Sequence, residues 1–215
     1  MSLAKQTTDF INSLRNYKNI KKSLRFTSPC GYTAKYLVCS HDVSKSFYGA
    51  CLHLVSQKNN DNIVDTEPFV SRIVMSRSVM SPASVYVNET KSFALGLELL
   101  QNYLGSVRCI LPQNVQIYCV GDNQPSTVVL SEQYYSNTTI VGVRNVCIDM
   151  LSRILRWLLD CNIIFSWLST KLMVSDLVSK AHDNPILQLE SNFWRHGPKI
   201  YHDEKYLMLL ILYIQ

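Results

Sequence analysis

The sequence predicts an α/β domain, a mixed five-stranded sheet flanked by helices. Three observations carry that expectation. Three short runs of β character follow one another between residues 36 and 76, with turn signals and no helical pattern between them. Helical stripes then alternate with two further runs rich in β-branched and aromatic residues. Finally, 215 residues with 47% apolar and 17% charged side chains suffice for one core of ordinary domain size, with or without short extensions.

The elements follow in order. Residues 4–25 place Phe10, Ile11, Leu14 and Ile20 in a loose helical pattern with a basic face, which reads as a solvated surface. The turn signal "SPCGY" (28–32) separates this segment from strands expected at 36–41, 48–55 and 71–76; the Asn/Asp-rich stretch before the third reads as a surface loop. Leu97, Leu100 and Leu104 give a helix over 93–107, and "NVQIYCVGD" (114–122) gives a fourth strand. Val146, Met150, Leu151, Ile154, Leu155 and Leu158 form one broad stripe, so 144–160 is the clearest helix. "NIIFSWLS" (162–169) is the fifth strand, and "SDLVSKAH" opens a short helix with Ser175 as its cap. The order β-β-β-α-β-α-β-α implies a meander followed by alternating units, hence a mixed sheet.

Composition narrows the function classes. A net charge of +5 and a pI near 8.8 permit nucleic-acid binding without arguing for it alone. The seven cysteines are scattered, with no C-x-x-C pair; this opposes a zinc or redox motif and favours buried free thiols in a reducing compartment. The N-terminus lacks a signal core, so an intracellular protein is expected. The apolar tail "YLMLLILYIQ" is too short to span a bilayer, and no membrane partner is expected.

Four acids stand out by position. Asp42 follows the first strand, Asp122 ends the fourth, Asp176 opens the last helix and Glu98 lies in the helix between. Each alone reads as a turn former or helix cap. If the first and fourth strands are neighbours, however, Asp42 and Asp122 meet, and such like charges are costly unless a cation neutralises them. Three or four carboxylates suit Mg²⁺, and a pair of such ions can clamp the attacking and leaving oxygens of phosphodiester cleavage.

The words around these acids are more specific. "HDVSKSFYGACLHL" resembles D-A-S-x-x-A-Y-G-A-x-x-Y-L through Asp42, Ser44, Tyr48, Gly49, Ala50 and Leu54. "SRSVMSP" is similar to A-K-S-R-V-A-P, keeping Ser78 and Pro82, and "LELLQNYLG" to L-E-L-L-A-A-L-L-G. "STKLMVSDLVSKA" resembles P-T-K-x-N-P-A-D-L-A-S-R-G through Thr170, Lys171, Asp176, Leu177 and Ser179, and "FWRHGPKIY" resembles W-x-H-G-P-x-W through Trp194, His196, Gly197 and Pro198. In this order the five motifs resemble the ribonuclease H-like region of BEL/Pao-type LTR retrotransposon polyproteins.

The resemblance implies a ribonuclease H-like fold over residues 35–201, a partly helical connecting segment at 1–34 and an apolar tail at 202–215. It implies a two-metal nuclease, with Mg²⁺ or alternatively Mn²⁺, that cuts the RNA strand of an RNA–DNA hybrid. Asp42, Glu98, Asp122 and Asp176 would be the metal ligands, Asp42 bridging both ions. Lys171 and Lys180, flanking the last acid, are the candidates for phosphate contacts. The expected partners are the hybrid and an adjacent reverse transcriptase region, in cytoplasm, virus-like particle or nucleus.

The departures are specific. A gapless count from Pro82 reaches Ser92, whereas the surrounding words place the glutamate at Glu98. After Asp122 an insertion containing Pro125 interrupts the pattern. The alternatives are therefore an active nuclease, a nucleic-acid-binding module with a disabled site, or a structural remnant supporting a neighbouring domain. His41 reads as structural and Trp167 as core, while Trp194 and His196 read as closing the domain by packing.

Overall fold

The computed structural model describes residues 27–59, 69–107, 111–122, 163–180 and 192–202. The helices expected at 4–25 and 144–160, the insertion after Asp122 and the apolar tail lie outside the described residues. Three long strands form the meander: β1 (Tyr32–Val43), β2 (Phe47–Lys58) and β3 (Phe69–Met80). They extend beyond the apolar runs at both ends, because antiparallel pairing carries the polar flanks along in register. Helix α1 (Val85–Val107) follows, then β4 (Gln116–Gly121), β5 (Ile163–Trp167), a 3-10 turn (Thr170–Leu172), α2 (Val174–Ser179), α3 (Asn192–His196) and a second 3-10 turn (Lys199–His202).

The sheet is mixed and five-stranded, as expected, with order β3-β2-β1-β4-β5. The β1–β2 and β2–β3 pairs are antiparallel, while β1–β4 and β4–β5 are parallel. It follows that β1, β3, β4 and β5 all point the same way, and their carboxyl ends share one edge. β1 and β4 meet where the chain direction of winding reverses, the place where open sheets leave a crevice for ligands.

Strand alternation divides the interior into two layers. On one face Leu37, Cys39, Ala50, Leu52 and Leu54 pack under Phe93, Leu97, Leu100 and Tyr103 of α1. A Cβ added at Gly96 would lie 2.7 Å from Cys39 Sγ, so the absent side chain is what lets α1 approach β1. The helix begins at Val85, earlier than the apolar stripe indicates, because Asn88 is buried and its amide donates to the Ala83 carbonyl at 3.1 Å. That bond ties the polar first turns to the incoming loop.

On the other face Val38, Cys51, Val55, Phe69, Tyr118 and Val120 pack with Met173, Val174, Val178 and Tyr201. Ser175 does not cap α2. The residue flanking the helix is Met173, and Ser175 lies fully buried in the first turn, because Val174 and Val178 turn into the core and carry it with them. Residues 192–202 close this face through two histidines. His53 Nε2–H donates to the Trp194 carbonyl at 3.0 Å, and His196 Nδ1–H to the Ser71 carbonyl at 2.8 Å. Burial lowers the pKa of His53 to about 4, so it docks neutral.

Cys39, Cys51 and Cys119 are buried free thiols. Among the described residues no helix is long and apolar enough to cross a membrane.

Candidate active site

Three of the four expected acids converge on the shared carboxyl edge. Asp42 is the penultimate residue of β1, opposite Gly49 of β2. His41 is level with Gly121 across the parallel β1–β4 pair, which sets Asp122 beside Asp42 one residue later. Asp176 is the third residue of α2, and α2 packs against β1 and β2. Gly49 makes that packing close: a Cβ there would sit 2.7 Å from Val178 Cγ1 and 3.1 Å from the Ser179 nitrogen.

Asp42 is only 4% exposed. Its carboxylate Oδ2 accepts a hydrogen bond from Ser179 Oγ at 2.7 Å. Burial is the main cause of a pKa raised to about 6, and the charges of Asp122 and Asp176 add to it; the Ser179 and Val43 hydrogen bonds oppose the rise. Asp122 Oδ2 accepts from Thr170 Oγ1 at 2.8 Å, and its carbonyl accepts from the Trp167 indole N–H at 2.8 Å. Asp176 pairs with Lys180 one helical turn on.

Glu98, the fourth expected ligand, takes its place further along α1. Its side chain is about half exposed and pairs at 3.4 Å with Arg77 of β3. Ser92 is the α1 residue level with the site. Its Oγ donates to the Glu89 carbonyl at 2.7 Å and accepts from His41 Nδ1–H at 3.2 Å. Glu98 lies six residues further along α1, about 9 Å along the axis and well round from the buried stripe. Glu98→Gln is therefore expected to change hybrid binding and any cleavage by less than about twofold, an exposed ion pair being worth roughly 0–1 kcal/mol. Steady-state assays beside an Asp122→Asn variant would check this.

His41 behaves as the structural residue the sequence indicated. It is buried edge-on to Phe93 with centroids 5.4 Å apart, and burial lowers its pKa to about 4. Trp167 is not core: it is 37% exposed at the last position of β5. Lys171 is exposed in the first 3-10 turn, and Lys180 is exposed at the end of α2. The hydroxyls of Ser179 and Thr170 hold two of these carboxylates, a contact to which the sequence reading gave no role. Both stand in the motif around Asp176, and a hydroxyl flanking an acid on each side was the available signal.

Among the described residues no three acidic, histidine or cysteine side chains gather tightly enough to cage an ion as they stand. The donor chemistry of Asp42, Asp122 and Asp176 nevertheless fits one hard divalent cation, since Asp42 is strained by the two charges beside it. Glu98, the fourth expected ligand, is engaged with Arg77.

No family model matches the sequence, and no curated protein matches it. Among solved structures, the chain is similar to the N-terminal RNase H domain of a Mycobacterium tuberculosis protein, solved as a maltose-binding-protein fusion. Identity is 8% and the TM-score 0.41, over 74% of this chain and 100% of that one. It is also similar to RNase H1 from Halobacterium salinarum, at 12% identity and TM-score 0.38 over 70% and 97% of the two chains. A third similarity is to LC11-RNase H1 in complex with an RNA/DNA hybrid, at 10% identity and TM-score 0.37 over 63% and 86%.

Proposed function

We propose that the chain is a ribonuclease H-like domain of BEL/Pao-type retroelement origin that engages RNA–DNA hybrid and hydrolyses its RNA strand at the Asp42–Asp122–Asp176 edge. One observation carries the reading: an aspartate buried at the β1–β4 crevice has its pKa raised to about 6, mainly by burial and further by the charges of two more aspartates. A fold has no packing reason to gather three acids there, and a cation or a proton is needed to relieve them.

A divalent ion, Mg²⁺ or Mn²⁺, held by these three aspartates would supply Lewis-acid polarisation of the scissile phosphodiester. The remaining work belongs to the chain. Ser179 orients the Asp42 carboxylate, and Thr170 orients that of Asp122. Lys171 and Lys180 lie where they can hold backbone phosphates, although Lys180 must exchange its pairing with Asp176 to do so. Recognition of the hybrid would read shape and 2′-hydroxyls rather than base sequence. The reading does not depend on a second ion; from α1 the contact beside this edge is that of Ser92 with His41, the neighbour of Asp42. A neighbouring reverse transcriptase region and an intracellular setting belong to the same reading, the latter supported by the free thiols.

A second reading is favoured by a specific observation. Ser179, Thr170 and Lys180 each already engage one of the three acids, in bonds that need no cation. That arrangement suits a domain that binds hybrid without cutting it. The deciding experiment is cleavage of an end-labelled RNA–DNA hybrid in Mg²⁺ and in Mn²⁺, beside single-stranded RNA and an Asp122→Asn control. The nuclease reading expects hybrid-selective cutting that falls on the order of 10²- to 10³-fold in the variant. Binding without cutting in either ion would establish the second reading.

A further inference from the structure

Among the described residues three large apolar side chains are exposed: Met80 at 73%, Val85 at 56% and Trp167 at 37%. Met80 ends β3, Val85 begins α1 and Trp167 ends β5, so all three lie along the carboxyl edge that carries Asp42 and Asp122. The strand order places β3 and β5 at opposite margins of the sheet, four strand spacings or roughly 19 Å apart. That is close to the width of a nucleic-acid duplex. The acids stand between these margins, and exposed Lys45 in the β1–β2 turn and Lys171 beside Asp122 supply positive charge on the same edge.

Trp167 differs from the other two in being both aromatic and fixed. Its indole N–H donates to the Asp122 carbonyl at 2.8 Å, and its backbone is paired to Gly121 of β4. The ring is therefore anchored two strands from Asp42, across β4, while part of its surface stays in solvent. Holding a large aromatic surface in water at a strand end is unfavourable for folding.

We propose that the exposed indole of Trp167 is a stacking platform for a nucleobase or sugar of the bound hybrid, setting the strand's position against the Asp42–Asp122 pair. The inference rests on the hybrid-binding reading above and names the residue that would position the substrate. In a paired duplex the sugar is the surface such a ring meets, and contact with it is independent of base identity, which suits recognition without sequence preference. The N–H bond to Asp122 couples the platform to the acid, so a strand stacked on the ring is registered to the reacting edge.

The test uses the whole chain and a fluorescein-labelled hybrid duplex in EDTA, so that binding is read without turnover. Anisotropy titrations compare wild type, Trp167→Phe and Trp167→Ala, with circular dichroism confirming that each is folded. Trp167→Ala is expected to weaken binding about tenfold, and Trp167→Phe, which stacks but has no N–H, to stay within about threefold of wild type. Indole fluorescence quenched by hybrid in the wild type should be largely lost in Trp167→Phe. Wild-type binding with an unaffected Trp167→Ala variant would overturn the platform and leave hybrid binding standing. Equal losses in the Phe and Ala variants would assign Trp167 to anchoring Asp122 and overturn stacking. No binding of hybrid by wild type would overturn both.

Discussion

Replacing Asp42 with asparagine is expected to abolish cleavage and, at neutral pH, to make the protein more heat-stable. The two effects share a cause. Asp42 is 4% exposed and its pKa stands at about 6 against an ordinary 3.8, mainly through burial, then through the charges of Asp122 and Asp176. A raised carboxylate pKa means that the folded chain binds the proton more tightly than the unfolded chain does. The stabilisation that this proton brings is complete below about pH 3.8 and is lost as pH rises through about 6. At neutral pH the ionised carboxylate therefore costs the fold about 3 kcal/mol relative to a neutral group of the same shape, taking the shift as roughly two units.

Asparagine keeps an oxygen to accept the Ser179 hydroxyl and removes the charge. A rise in Tm on the order of 5–10 °C follows for a chain of this size. The wild type should lose stability between pH 4 and 6 through this group, and Asp42→Asn should show no such slope. Millimolar Mg²⁺ should raise the wild-type Tm, since an ion that binds only the folded chain stabilises it, and should leave the variant unmoved. A variant less stable than wild type at neutral pH would show that Asp42 is an ordinary hydrogen-bonded aspartate, with no charge frustration for a cation to relieve.

Much of this site was legible before any coordinates, and the reasons differ by residue. Asp42 and Asp122 each end an apolar run, and a parallel β1–β4 pair needs only a one-residue register to set them side by side. The sheet itself followed from the order of runs, since three consecutive strands pair as a meander, and β4 and β5, each reached by a long connection, run parallel to their neighbours. For Glu98 the matching word and the helical phase point to different places. The buried stripe of α1 passes through Ser92, Phe93, Gly96, Leu97 and Leu100, and Glu98 falls off it toward Arg77. The same phase, applied to the sequence, would have pointed to Ser92.

Trp167 was misread for a different reason. Apolar character was equated with burial, yet a side chain on a strand's last residue overhangs the edge of the layer that covers its neighbours. Ser175 shows the local rule yielding to packing: a serine before an acid signals a cap, but the Val174–Val178 pair fixes which way the helix turns. The hydrogen bonds of Ser179 and Thr170 span 137 and 48 residues, separations at which no sequence pattern operates.

The largest loss of stability is expected at Tyr201, which the sequence placed at the very end of the domain. Tyr201 is fully buried, its ring packs 5.6 Å from that of His53, and it shares a core layer with Val38, Val55 and Tyr118 of the sheet. Tyr201→Ala deletes an aromatic ring from that layer and should cost roughly 3–5 kcal/mol, the range found for large aromatic-to-alanine changes in cores. For a chain of this length that corresponds to a Tm fall of roughly 6–20 °C. The consequence reaches the acids, because the same layer contains Met173, Val174 and Val178, on which α2 rests. α2 carries Asp176 and the Ser179 hydroxyl that holds Asp42. Loosening it should weaken the Ser179–Asp42 bond before the sheet unfolds, and amide hydrogen exchange should show protection falling first in residues 174–180. If Tyr201→Ala instead costs less than about 1 kcal/mol, residues 192–202 are an appendage resting on a complete sheet, and the histidine contacts at His53 and His196 are surface decoration rather than closure.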